Sequence, residues 1–202
     1  MTCLVEQNPV ELNAVVNTNW LDNFKNGKLL GLFVFDLDFT LWPYDCGKDV
    51  WAPFSNGVFG IIDHYGRPAN PFPDVGDIMA ALVDCGVPIA IASRNPAISE
   101  IEALLKTITF DCSRGTISIW DALPNSGYLH AYSSGGMSGK NRHFAALKAV
   151  TGVEFNQMLF FDDLPENIAH AVKQGTTSIH VGRTGLTRDS VIAGLRVWRK
   201  RV

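Results

Sequence analysis

The sequence predicts a doubly wound α/β sandwich, a parallel sheet with helices on both faces. Three observations predict it. Short, near-continuous apolar runs recur along the 202-residue chain. Amphipathic stretches of helical period separate them, and glycines close several of these helices. Apolar strands alternating with such helices are buried on both faces, which is the signature of a parallel sheet.

Element by element, residues 1–30 are ambiguous: VELNAVVNTNWLDNF suits a short amphipathic helix, which NGKLLG breaks. We expect an extension packed on the main domain. The first strand runs from Leu32 to Phe35. A polar stretch punctuated by Gly and Pro follows to Pro73. Within it GIIDHYGRP reads as a hairpin turning at DHYG, so 44–73 forms a small cap-like insertion. Asp74 is placed to cap a helix with Ile78, Met79, Leu82 and Val83 on one face and Gly86 at its end. VPIAIAS is the second strand, ending at Ser93 and Arg94. Asn95 and Pro96 then read as the cap and first residue of a helix turning Ile98, Ile101, Leu104 and Leu105 inward.

After a loop-rich region, YLHAYSS gives the third strand, and KNRHFAALKAVTG a helix closed by Gly152. QMLFFDD is the fourth strand, PENIAHAVKQG a helix, TSIHVG the fifth strand and TRDSVIAGLRVWRKR the last helix. We read residues 1–202 as a single domain.

Composition narrows the function. The chain is 47% apolar and 18% charged, which excludes disordered and collagen-like classes. A net charge of −3 offers no electrostatic footprint for nucleic acid. The basic end RVWRKRV reads as a last helical turn whose Arg196, Arg199, Lys200 and Arg201 complement the helix dipole. Cys3, Cys46, Cys85 and Cys112 lie far apart without zinc-ligand spacing, so free thiols in a reducing compartment are expected. No signal peptide and no membrane span are apparent, and we expect a cytoplasmic protein. Oligomeric state is left open.

In an open parallel sheet, ligands bind outside the carboxyl ends of the strands. Three apolar strands end in chemistry there: DLD, SR and DD. Asp36, Asp38, Asp162 and Asp163 therefore converge on one edge, where four carboxylates require a cation. With no His or Cys among them, the ion is hard, and Mg²⁺ is the usual one. Mg²⁺ fills its open positions with phosphate oxygens. Ser93, Arg94 and Lys140, the last at a helix start, suit that anion. The stretch SSGGMSGK is not a P-loop, because Ser134 stands where the first Gly belongs and Asn141 where Ser or Thr should be. The five histidines show no ligand or triad spacing and read as structural or surface residues.

FDLDFTLWP, ASR, GK at a helix start and FFDD followed by Asn resemble, in order, the four motifs of the haloacid dehalogenase superfamily of phosphohydrolases. DLDxTLWP with SGK and FFDD looks like its small magnesium-dependent phosphatase branch. The resemblance covers about Leu32 to Gly185 and implies a Rossmann-like fold of haloacid dehalogenase type. It implies Asp36 as nucleophile, forming an aspartyl-phosphate, and Asp38 as general acid and base. It further implies that Asp36, the backbone carbonyl of Asp38, and Asp163 hold Mg²⁺. Asp163 is preferred to Asp162 because Asn167 follows it at the family's spacing; Asp162, Asn167 and Thr40 then support the ligands from behind. Leu37, Asp38, Ser93, Arg94 and Lys140 match its phosphate-binding positions.

The implied activity is Mg²⁺-dependent hydrolysis of a phosphomonoester: a sugar phosphate, a phosphorylated ketoamine or phosphotyrosine. A dehalogenase would not need the second acid of the pair. Phosphomutase activity usually requires a closing lid, and a 44–73 insertion of hairpin size supplies none. A receiver-like signalling module would carry its acid pair early and its phosphorylated Asp later, the reverse of this order.

Overall fold

The computed structural model of the protein describes residues 31–133 and 139–201. The helix expected before Gly31, Cys3 and most of the glycine-rich stretch before Lys140 lie outside the described residues.

Five parallel strands form the central sheet: β1 (Leu32–Phe35), β4 (Ile89–Ser93), β7 (Leu129–Ala131), β8 (Met158–Asp162) and β9 (Thr177–His180). Their order is β7-β4-β1-β8-β9, which puts β1 at the centre. All of β1, β4 and β8 is buried, as the apolar runs require. Alternation then assigns each side chain to a face. Phe33, Phe35 and Phe161 stack on one face, with centroids 5.5–6.0 Å apart. Ile78, Met79 and Leu82 of α1 (Val75–Asp84), Ile101, Leu104 and Leu105 of α2 (Ile98–Thr107) join that cluster, as does the short α3 (Ile119–Ala122). Leu32, Val34 and Phe160 face the other way, against Phe144 and Leu147 of α4 (Asn141–Thr151) and Ala171 of α5 (Pro165–Gln174). Val191 and Leu195 of α6 (Arg188–Arg199) return to the first face.

Some local expectations change. α2 begins at Ile98 with Ala97 at its cap position, not at Asn95. The Asn95 side chain is drawn off: its Oδ1 accepts the Ala97 N–H and its amide nitrogen donates elsewhere. Ile98 is consequently 41% exposed and does not point inward. Asp74 sits at the cap position of α1 without a side-chain cap bond, and its carboxylate accepts the Arg188 N–H instead. The 44–73 stretch does turn at Asp63–Gly66, where the Gly66 N–H reaches the Asp63 carbonyl. Its paired strands, β2 (Ser55–Gly57) and β3 (Gly60–Ile62), turn earlier, at Val58 and Phe59. The loop-rich region hides a second ribbon, β5 (Thr109–Cys112) with β6 (Gly115–Ser118). Only Phe110 and Ser118 of that ribbon are buried, so it lacks the apolar run that marks a central strand. Cys46 and Cys112 are free thiols. Among the described residues no helix is long and apolar enough to cross a membrane.

Candidate active site

Register alone pairs the two leading acids. Phe35 of β1 lies opposite Phe161 of β8, and the Asp36 N–H donates to the Phe161 carbonyl at 3.0 Å. Asp36 and Asp162 thus leave adjacent strands side by side. Between them stands Lys140, just before α4, with Nζ 2.5 Å from Asp36 Oδ1 and 2.7 Å from Asp162 Oδ2. The sequence suggests a lysine at a helix start outside the core. It is instead among the largest fully buried side chains, because both partners are buried with it.

Asp162 has no free acceptor left. Its Oδ1 takes the Leu164 N–H at 2.7 Å, and the Asn167 amide reaches both oxygens at 3.0 and 3.1 Å. Asp163 is half-buried, and His180 Nε2 lies 2.7 Å from its backbone carbonyl. Oxygens of Asp36, Asp162 and Asp163 lie within 4.8 Å of one another. Burial, reinforced by the Asp162 charge and opposed by Lys140, pushes the Asp36 carboxyl up to about 8. Burial and the same neighbour raise Asp163 to about 6. Buried, crowded, all-oxygen donors of this kind suit a hard dication, whose charge relieves the repulsion among them.

Asp38 goes elsewhere. The chain turns sharply beyond it: Phe39 takes φ 58°, and the Thr40 and Leu41 N–H groups both return to the Leu37 carbonyl. A non-glycine residue in the left-handed region is strained, and such strain gathers at working sites. The turn carries the Asp38 carboxylate to a separate set of donors. Its Oδ1 accepts Trp42 Nε1 at 2.8 Å and the Cys46 N–H at 3.0 Å; its Oδ2 accepts Asn95 Nδ2 at 2.7 Å. Burial nonetheless raises its pKa, against those hydrogen bonds.

The remaining expected residues surround this edge. Ser93 is buried at the end of β4, where its Oγ accepts the Asn95 N–H. Arg94, next in the chain, is partly exposed and lies 3.7 Å from Glu166 at the start of α5. Leu37 and Thr40 are fully buried, and the Thr40 carbonyl accepts the Leu186 N–H. The sequence reading missed Trp42 and the contact of Asn95 with Asp38; His143, read as structural or surface, is structural. His143 is buried with Nε2 between the Ser93 and Tyr132 carbonyls, at 2.7 and 3.1 Å, tying the ends of β4 and β7 together. Burial, then the Lys140 charge, lowers it to about 4, so it is neutral and donates. Trp42, four residues after Asp38, carried a faint signal; Asn95 reaches Asp38 only because β4 lies beside β1, and His143 reaches its carbonyls only because α4 packs on the ends of β4 and β7.

The family described as Acid Phosphatase matches residues 28–201. Human magnesium-dependent phosphatase 1 is 34% identical over 174 residues, covering 86% of this chain and 89% of that protein. A HAD-like hydrolase superfamily protein of Schizosaccharomyces pombe is 30% identical over 146 residues, 71% of this chain and 81% of the relative. Among solved structures, the N-terminal part of a Bacteroides fragilis protein, containing a phosphatase domain complexed with Mg, superposes with a TM-score of 0.56 at 18% identity. The match covers 88% of this chain and 43% of that one, less than half its length, and bears on the fold alone.

Proposed function

Because the chain belongs to the acid phosphatase family and is a magnesium-dependent phosphatase of the haloacid dehalogenase superfamily, we propose that it hydrolyses phosphomonoesters through an aspartyl-phosphate on Asp36. The observation that carries this reading is the division of the strand-end acids into two sets. Asp36 stands with Lys140, Asp162 and Asp163, while Asp38 is held apart by uncharged donors.

Asp36, the backbone carbonyl of Asp38 and Asp163 would hold Mg²⁺; Asp162 is less suited, since its oxygens already serve Lys140, Asn167 and the Leu164 N–H. The ion, when bound, neutralises phosphate charge that otherwise repels an attacking carboxylate. Lys140 adds a fixed positive charge at the same place, and Ser93, Arg94 and the N–H groups of Leu37 and Asp38 surround the phosphate. An Asp36 oxygen bonds to phosphorus as the ester oxygen departs and takes a proton from Asp38. Asp38, now ionised, accepts a proton from the water that attacks the aspartyl-phosphate. Inorganic phosphate leaves and Asp36 is restored.

The substrate class we propose is a small phosphorylated metabolite, a sugar phosphate or phosphorylated ketoamine, or phosphotyrosine. The 44–73 segment serves as a small cap-like insertion, and the cytoplasm as the location. Turnover of p-nitrophenyl phosphate with and without Mg²⁺ tests the reading. Chelation should abolish it and added Mg²⁺ restore it; full activity in excess EDTA would overturn it.

A further inference from the structure

We propose that Asn95 is a positioning residue that fixes Oδ2 of Asp38 as the oxygen through which the catalytic proton passes. The inference rests on the phosphatase reading above and extends it to a residue which that reading does not use.

A carboxylate offers two lone-pair sites on each oxygen. On Asp38 both sites of Oδ1 are taken, by Trp42 Nε1 and the Cys46 N–H, two donors from the same short loop. Among the described residues Oδ2 receives one donor, Asn95 Nδ2 at 2.7 Å, and keeps one site. A proton can therefore join the carboxyl without displacing a hydrogen bond only on Oδ2, so Oδ2 is the oxygen that gives and takes it. Its direction depends on Asn95.

Asn95 is itself held without ambiguity. Its Oδ1 accepts the Ala97 N–H at 2.9 Å. Its Nδ2 faces the Cys46 carbonyl at 2.6 Å and Asp45 Oδ1 at 3.2 Å as well as Asp38. All three are acceptors, so a flipped amide would set oxygen against oxygen. The Asn95 backbone N–H is anchored on Ser93 Oγ at 3.2 Å, at the end of β4. Asn95 thus transfers the position of β4 to an acid that follows β1, whereas Trp42 and Cys46 only brace Asp38 against its own loop.

The test compares Asn95→Ala and Asn95→Ser with the wild-type protein on two substrates. Serine keeps an acceptor for the Ala97 N–H but cannot reach Asp38, so it separates the two tasks of Asn95 should the alanine variant melt. Nitrophenolate departs without a proton, whereas an alkyl phosphate such as β-glycerophosphate needs one. In Mg²⁺, kcat for the alkyl ester should fall about tenfold to a hundredfold, with KM little changed. The nitrophenol burst should keep the wild-type rate within about threefold, followed by slowed steady turnover as the aspartyl-phosphate waits for its base. A nitrophenol burst slowed as much as alkyl-ester turnover, which a merely loosened loop would produce, overturns the proposal; so does an unchanged kcat on the alkyl ester. A wild-type protein inactive on both substrates instead overturns the phosphatase reading itself.

Discussion

Replacing Lys140 by Met removes the one charge that both buried acids share while keeping the side chain's length. The ammonium sits 2.5 Å from Asp36 and 2.7 Å from Asp162, with all three side chains nearly inaccessible. Above about pH 8, where Asp36 is ionised, each contact is worth about 6 kcal/mol of Coulomb attraction at an effective dielectric constant near 20. Desolvation of the three ions and repulsion between the two carboxylates offset most of it. Removing one partner of a buried ion cluster typically costs about 3–5 kcal/mol, because the others remain buried and unpaired. For a chain of this size that corresponds to a melting temperature lower by roughly 6–20 °C. Loss of the cation at the phosphate should cost a further ~2–4 kcal/mol in the transition state, about thirtyfold to a thousandfold in kcat/KM. The assay pairs thermal melting in EDTA and in Mg²⁺ with turnover of p-nitrophenyl phosphate. Mg²⁺ held by Asp36 and Asp163 should restore part of the melting temperature but not the rate. A variant that melts like the wild type, or that keeps its kcat/KM, would refute the role assigned to this lysine.

The two acids of the first motif should separate by role. Asp36→Asn should stop both turnover and phosphoenzyme formation, whatever the leaving group. Asp38→Asn should still release a burst of nitrophenol and accumulate phosphoenzyme, while failing on a sugar phosphate; rapid-quench kinetics showing equal slowing and no trapped intermediate would contradict the assignment. Stability should also depend on pH when metal is chelated. Asp36 is raised to about 8 and Asp163 to about 6 from an ordinary value of 3.8. Between those values the folded protein holds protons that the unfolded chain has released, so stability should fall as pH rises from about 5 to about 8. Mg²⁺ should therefore raise the melting temperature more at pH 8 than at pH 5, and a chelated protein whose melting point is flat or rising over that range would argue against the shifts. The exposed tip residues Val58 and Phe59 are 92% and 95% accessible, so serine at either position should change the stability obtained from thermal melting by no more than about 0.5 kcal/mol.

What the sequence determined by itself was the sheet and the edge at which its strand-end acids gather. LFVF, IAIA and MLFF are apolar at every position, and only a strand covered on both faces can bury such runs. Once the strands are parallel, the acids and the Ser-Arg pair that end them must meet. The ribbon at Thr109–Ser118 escaped notice because its side chains are mostly exposed, and nothing in its pattern demands burial. The start of α2 was misplaced because an Asn before a Pro has the same local chemistry whether it caps a helix or serves a distant carboxylate. Only the tertiary structure decided between those uses, by bringing the end of β4 beside the loop that follows β1. It also decided that Lys140 is buried, since a lysine enters a core only where acids already stand to receive it. Local pattern records what each segment must bury; which polar groups face one another across strands depends on register and strand order, which are properties of the whole fold.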